Sequence, residues 1–127
     1  MNIALWAAQG LLASLFLMAG LMKLSKPKSE LKDKLGDWVD ALSNSSFTII
    51  GLLELIGAIG LVLPMFLNVF PILTIYASLG LALTMIGAMI LHINRREFDK
   101  IKMNIVLMVM ALFVCVGRFF VVPINGV

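Results

Sequence analysis

Four apolar runs, at residues 3–22, 47–67, 69–91 and 103–122, constrain this chain more than any other feature in it. A helix needs roughly 20 apolar residues to cross a hydrocarbon core about 30 Å thick, and each run is long enough. Hydrophobic side chains make up 61% of the 127 residues and charged ones 13%. A soluble domain carries roughly half and about a quarter, so the expected solvent is a lipid bilayer. In oil each backbone N–H and C=O must pair within its own segment, so helices are the expected form. The fold class is therefore all-α: an integral membrane four-helix bundle, one domain over residues 1–127. Between the second and third runs, Pro64 and Pro71 bracket a charge-free turn in which Asn68 is expected to cap the third helix.

Charge sets the expected orientation. Lys23, Lys26, Lys28, Lys32 and Lys34 follow the first run, and Arg95, Arg96, Lys100 and Lys102 separate the third from the fourth. The remaining basic residue, Arg118, lies inside the fourth run. The positive-inside rule then puts both long loops in the cytoplasm and both termini outside. The first run has neither a basic leader nor a small-residue cleavage site, so it is expected to stay as a helix. The net charge of +3 thus reflects topology, and no finger motif or basic stripe interleaved with aromatics points to nucleic acid. In the first loop, Ser29 is expected to cap an amphipathic interfacial helix over 29–42, with Leu31, Leu35, Trp38, Val39 and Leu42 on one face. That helix is either a connector folded onto the bundle or a surface lying along the headgroups, able to dock a partner or shield a cavity.

One carboxylate, Glu54, stands inside the second run, in "TIIGLLELIGAIGLVLP". An ionised side chain at mid-bilayer costs several kcal/mol or more, so Glu54 must face the interior, pair with a cation or stay protonated. Successive residues turn by about 100°, which puts Gln9, Ala13, Phe16, Gly20 and Lys23 on one arc of the first helix. Gly51, Glu54, Ala58 and Leu61 share an arc of the second. Thr84, Ala88 and His92 share one of the third, and Asn104, Met108, Ala111, Cys115 and Arg118 one of the fourth. Rise along the axis sorts the polar groups into two layers: Lys23, Glu54, His92 and Asn104 toward the long loops, Gln9 and Arg118 toward the opposite side. Between them lie chiefly Ser14, Tyr76, Thr84 and Cys115. Lys23 is the expected partner of Glu54. Candidate ligand contacts are Glu54, Lys23, His92, Arg118, Gln9, Tyr76 and Asn104, and the competing reading is that Glu54 with Lys23 or His92 only fixes helix register. Arg118 either snorkels outward or anchors an anionic or carbonyl headgroup. Gly51, Gly57, Gly60, Gly80 and Gly87 are expected to let helices approach closely.

Several chemistries are excluded. Cys115 stands alone, so neither a disulfide nor dithiol redox chemistry within the chain is available. His92 has no second His or Cys at metal-ligand spacing, and no phosphate-cradling glycine motif is present.

The stretches "FLMAGLMKL" ending in Lys23, "IGLLELIGAIGLVLP" around Glu54, "PILTIYASLGLALTMIGAMILHI" through His92 and "GRF" at Arg118 together resemble the DoxX-like family of small four-helix membrane proteins. The resemblance implies a bacterial inner-membrane protein. Some DoxX relatives are membrane subunits of thiosulfate:quinone oxidoreductases or of complexes that handle thiols and oxidative stress, and a distant animal relative is an assembly chaperone for nicotinic receptors. Function does not follow fold across such a range. The first expectation is a membrane subunit or accessory of a redox system, with a polar pocket for a quinone or another small amphiphile. Catalysis would then need a partner redox subunit, because the chain carries no cofactor motif. The second is a non-enzymatic scaffold or assembly factor that contacts a client membrane protein or a second copy of itself.

Overall fold

The computed structural model describes residues 1–121, and these are helical without strands: α1 (Asn2–Ser25), α2 (Lys28–Leu35), α3 (Asn44–Leu67), α4 (Leu73–Asn94) and α5 (Phe98–Val116). A short 3-10 segment, Asp37–Ala41, joins α2 to α3, and a π turn, Gly117–Val121, extends α5. Four helical stretches are long and apolar enough to span a membrane: Asn2–Ser25, Asn44–Leu67, Leu73–Asn94 and Phe98–Val121. They pack in a ring in which α1 lies between α3 and α5, and α4 closes the circuit between α3 and α5. Leu12 and Phe16 of α1, Leu61 of α3, Leu81 and Met85 of α4 and Val114 of α5 form the shared core. Only 22–33% of each span is buried in protein, and the uncovered remainder is rich in Ile, Leu, Val and Phe, as lipid contact requires. The chain is a multi-pass membrane protein.

The element ends depart from the sequence reading in instructive ways. Asn68 does not start the third span. It sits in the left-handed region (φ 55°) as the C-cap of α3, its N–H reaching the Met65 and Pro64 carbonyls, and α4 begins only at Leu73. Asparagine suits both roles, because its short side chain tolerates left-handed backbone as readily as it caps an N-terminus. The first span runs to Ser25 rather than Met22. The second starts at Asn44, where the Ser43 hydroxyl accepts from the Ser46 N–H at 3.1 Å, and the fourth starts at Phe98. The expected end of the fourth span, Val122, lies outside the described residues.

The single interfacial helix over 29–42 is not formed. Gly36 (φ 113°) ends α2 after eight residues and turns the chain into the 3-10 segment, and the α2 cap is Pro27 rather than Ser29. The apolar side chains expected on one face still converge: Leu31, Val39 and Phe47 are buried together, with Leu35, Trp38, Leu42 and Met22 packed around them. The loop is thus folded under the bundle end by its own small core. The Lys32 ammonium pairs with Asp40 at 2.6 Å, and the Lys28 ammonium donates to the Leu42 carbonyl.

Proline 64 shows how a breaker is accommodated. Lacking an N–H, it leaves the Gly60 carbonyl without its helical donor, and the Thr74 hydroxyl of α4 donates to that oxygen at 3.0 Å.

Candidate functional site

The loop-end polar site begins with a helix crossing. A Cβ on Gly20 would lie 2.8 Å from the Gly51 carbonyl oxygen, and one on Gly51 would lie 3.1 Å from the Lys23 Cβ, so α1 and α3 approach backbone to backbone there. Three residues beyond each glycine, on the same faces, stand Lys23 and Glu54. The Lys23 ammonium donates to the Glu54 carboxylate, and Glu54 is only 2% exposed. The buried acid therefore has its counter-charge, and the small residues that bring the helices together create the pair.

Around this pair lies a cavity of about 450 Å³ lined by polar residues of all four spans: Lys23 of α1, Glu54 of α3, Thr84 and His92 of α4, and Asn104 of α5. Trp38, Leu42 and Phe47 form its loop side. His92 does not reach Glu54. Its Nδ1 donates to Glu97 Oε1 at 3.1 Å, while the Glu97 N–H donates to the His92 carbonyl at 2.8 Å, and Arg95 Nε also donates to that carboxylate at 3.1 Å. Burial pushes the Glu97 carboxyl up, but the hydrogen bonds and charges of His92 and Arg95 outweigh it and hold the group below the usual carboxylate range. With Nδ1 committed to a carboxylate, the neutral ring carries its lone pair on Nε2. Trp38 stacks on Phe47 (centroids 5.6 Å apart) and meets the His92 ring edge-on (5.4 Å). The Asn104 side-chain nitrogen is buried and has no hydrogen-bond partner among the described residues. Two donors and an acceptor thus border one space: an ammonium with protons to spare, an unpaired amide and the free imidazole nitrogen.

The other polar layer is built differently. Arg118, 1% exposed, donates from Nε to Gln9 Oε1 at 2.7 Å and from Nη1 to Asn2 Oδ1 at 2.6 Å. Gln9 Nε2 in turn donates to the Leu61 carbonyl at 2.6 Å. The guanidinium lies 5.3 Å from the Trp6 ring centroid, a cation–π distance. Nη2 is its unpaired donor among the described residues. Arg118 does not snorkel, because the π turn and the Leu5–Gly117 contact bring the start of its side chain against α1.

Of the candidate residues, the structure brings Lys23, Glu54, His92 and Asn104 to one cavity and Gln9 and Arg118 to one network. It separates Tyr76 from both, leaving it 60% exposed on the lipid side of α4. Gly20, Gly51, Gly57, Gly60 and Gly117 sit in close contacts, but Gly80 and Gly87 face open space, contrary to the expectation of close approach. Asn2 and Glu97 were missed, and Trp38, read only as part of the loop's apolar face, also lines the cavity. The only sequence signal for Glu97 was a carboxylate five residues after His92, just past the helix end, where Arg96 (φ 57°) folds the chain back.

A ring of four apolar helices around buried polar groups defines a polytopic α-helical membrane protein with an internal polar cavity. The chain matches the DoxX-like family over residues 7–114 and belongs to that family. Comparison with curated proteins and with solved structures returns no match.

Proposed function

We propose that this DoxX-like protein holds the headgroup of a small amphiphile with a carbonyl oxygen, quinone-like in chemistry, in the loop-end cavity. In this reading it serves as a membrane subunit or accessory of a redox system in the bacterial inner membrane, with its long loops cytoplasmic. The observation that carries the proposal is the unpaired Asn104 amide beside the Lys23–Glu54 pair in a space of about 450 Å³, within the size range of small-molecule pockets. Those residues suit such a group. Asn104 and the free protons of Lys23 donate to a carbonyl oxygen, Glu54 orients the ammonium, and Trp38 and Phe47 supply aromatic faces on the loop side. Gln9 and Arg118 brace the opposite end rather than touch the ligand. The redox link rests on family membership together with the donor chemistry, and any electron transfer belongs to a partner subunit.

Mass spectrometry of gently extracted protein tests the reading. A lipid-soluble carbonyl compound should co-purify, and it should be lost in Glu54→Gln while the protein still melts cooperatively. A second reading is favoured by the direct Lys23–Glu54 contact, which by itself fixes the α1–α3 register. If no ligand co-purifies and Glu54→Gln only lowers the melting temperature, the protein is a scaffold or assembly factor.

A further inference from the structure

A groove of about 640 Å³ runs along the lipid side of the α3–α4 seam, from Leu53 and Thr84 to Pro64 and Leu73. Eleven residues separate its ends on each helix, a length of about 16 Å at the rise of an α-helix. Its floor is set by two contacts that admit almost no side chain: a Cβ on Gly60 would lie 2.8 Å from the Ala77 Cβ, and one on Gly57 would run into Leu81. Its walls are largely apolar: Thr84 turns its hydroxyl proton back to the Gly80 carbonyl at 2.9 Å, and Tyr76 contributes the other side-chain hydroxyl.

The groove and the polar cavity share lining residues. Leu53 and Thr84 border both, so the two spaces meet at the same point of the seam. On α4, Gly80 lies in the groove and Gly87 on the cavity rim, one turn to either side of Thr84, and a Cβ at either glycine meets nothing within 4 Å. The missing side chains leave open space beside each of the two adjoining spaces.

We propose that the groove seats the apolar tail of the ligand whose headgroup occupies the cavity, and that this ligand is a single-tailed amphiphile entering sideways from the membrane between α3 and α4. The inference rests on the headgroup reading above. A compact carbonyl compound without a tail would leave the groove to ordinary lipid, whereas a tailed one fills two adjoining surfaces, polar on the loop side and apolar for about 16 Å from the middle of the spans toward their turn end.

The test uses the full chain in lipid nanodiscs and two probes, a tailless benzoquinone and the same ring carrying a decyl chain. Binding is measured against empty discs to remove simple partitioning. The tail should strengthen binding to the wild type at least tenfold beyond partitioning. Gly80→Leu, which fills open space in the groove without touching the cavity, should erase that gain while leaving tailless binding and the melting temperature unchanged. Equal corrected affinities for the two probes would overturn the tail seat and leave the headgroup reading standing; the groove would then be lipid surface or a contact for a second copy. If neither probe binds, both readings fall.

Discussion

The two ends of this bundle bury similar polar groups and use them in opposite ways. At the turn end, Arg118, Gln9 and Asn2 bond one another and the Leu61 carbonyl, and Arg118 Nη2 is left unpaired among the described residues. At the loop end, Lys23 and Glu54 satisfy each other but stand on the wall of a cavity with Asn104 and His92. The difference lies in side-chain reach and helix spacing. A long guanidinium reaches from beyond α5 to Gln9 and Asn2 of α1, whereas the close Gly20–Gly51 crossing joins α1 to α3 and sets their ion pair on the wall of a cavity that α4 and α5 also line. Buried polarity alone therefore does not mark a site; polarity beside unfilled volume does.

The most damaging way to break this contrast is Gly20→Val. A branched side chain there meets the Gly51 carbonyl and the Leu55 backbone, neither of which can rotate away, so α1 and α3 must separate. The expected loss is on the order of 4 kcal/mol or more, seen as a failure to purify a monodisperse protein. A wild-type melting temperature for this variant would show that the helices do not cross there.

Next in size is the ion pair. Glu54→Leu and Lys23→Met should each cost about 3–5 kcal/mol by stranding a buried charge, while the double variant should recover most of that loss. Additive losses in thermal melts would mean the two groups do not interact. At the turn end, Gln9→Leu should cost on the order of 1–3 kcal/mol, because it strips an acceptor from a buried guanidinium. Ligand co-purification should persist in that variant, and its disappearance would erase the division of labour between the two ends.

The smallest expected effect concerns acid. The Glu97 carboxyl is held below its ordinary value by His92 and Arg95, so its contribution to stability is complete above the unfolded carboxylate range near pH 4. It is lost as pH falls through the lower folded value. Trp38 touches the His92 ring, so its fluorescence in a Trp6→Phe background reports the change. A signal that stays flat into strong acid would contradict the His92–Glu97 link.

The spans and the Lys23–Glu54 pairing were legible because they depend on length and on the 100° helical step, which sequence carries directly. Convergence of Lys23, Glu54, His92 and Asn104 was legible for the same reason, since all four occur at comparable depth. Turn geometry was not: Asn68 fits two helix ends equally well, and Gly36 breaks the loop helix only because the Leu31–Val39–Phe47 cluster pulls its two halves to the bundle. Tyr76 lies apart from the polar cavity, on the wall of the lipid-side groove, because an aromatic hydroxyl suits a lipid-facing surface as well as a protein interior. The groove was illegible for a different reason. Gly57 and Gly60 lie in contact while Gly80 and Gly87 face empty space, and only the rotation of α4 against α3 distinguishes them.

The bond from Thr74 to the carbonyl orphaned by Pro64 has a mechanical consequence. It rivets α3 to α4 near the turn, and a short connection holds the same end. Toward Leu53 and Gly87 the seam has no comparable fastening among the described residues. Two rods riveted at one end part most widely at the other, so thermal breathing of this pair concentrates at the mouth of the polar chamber.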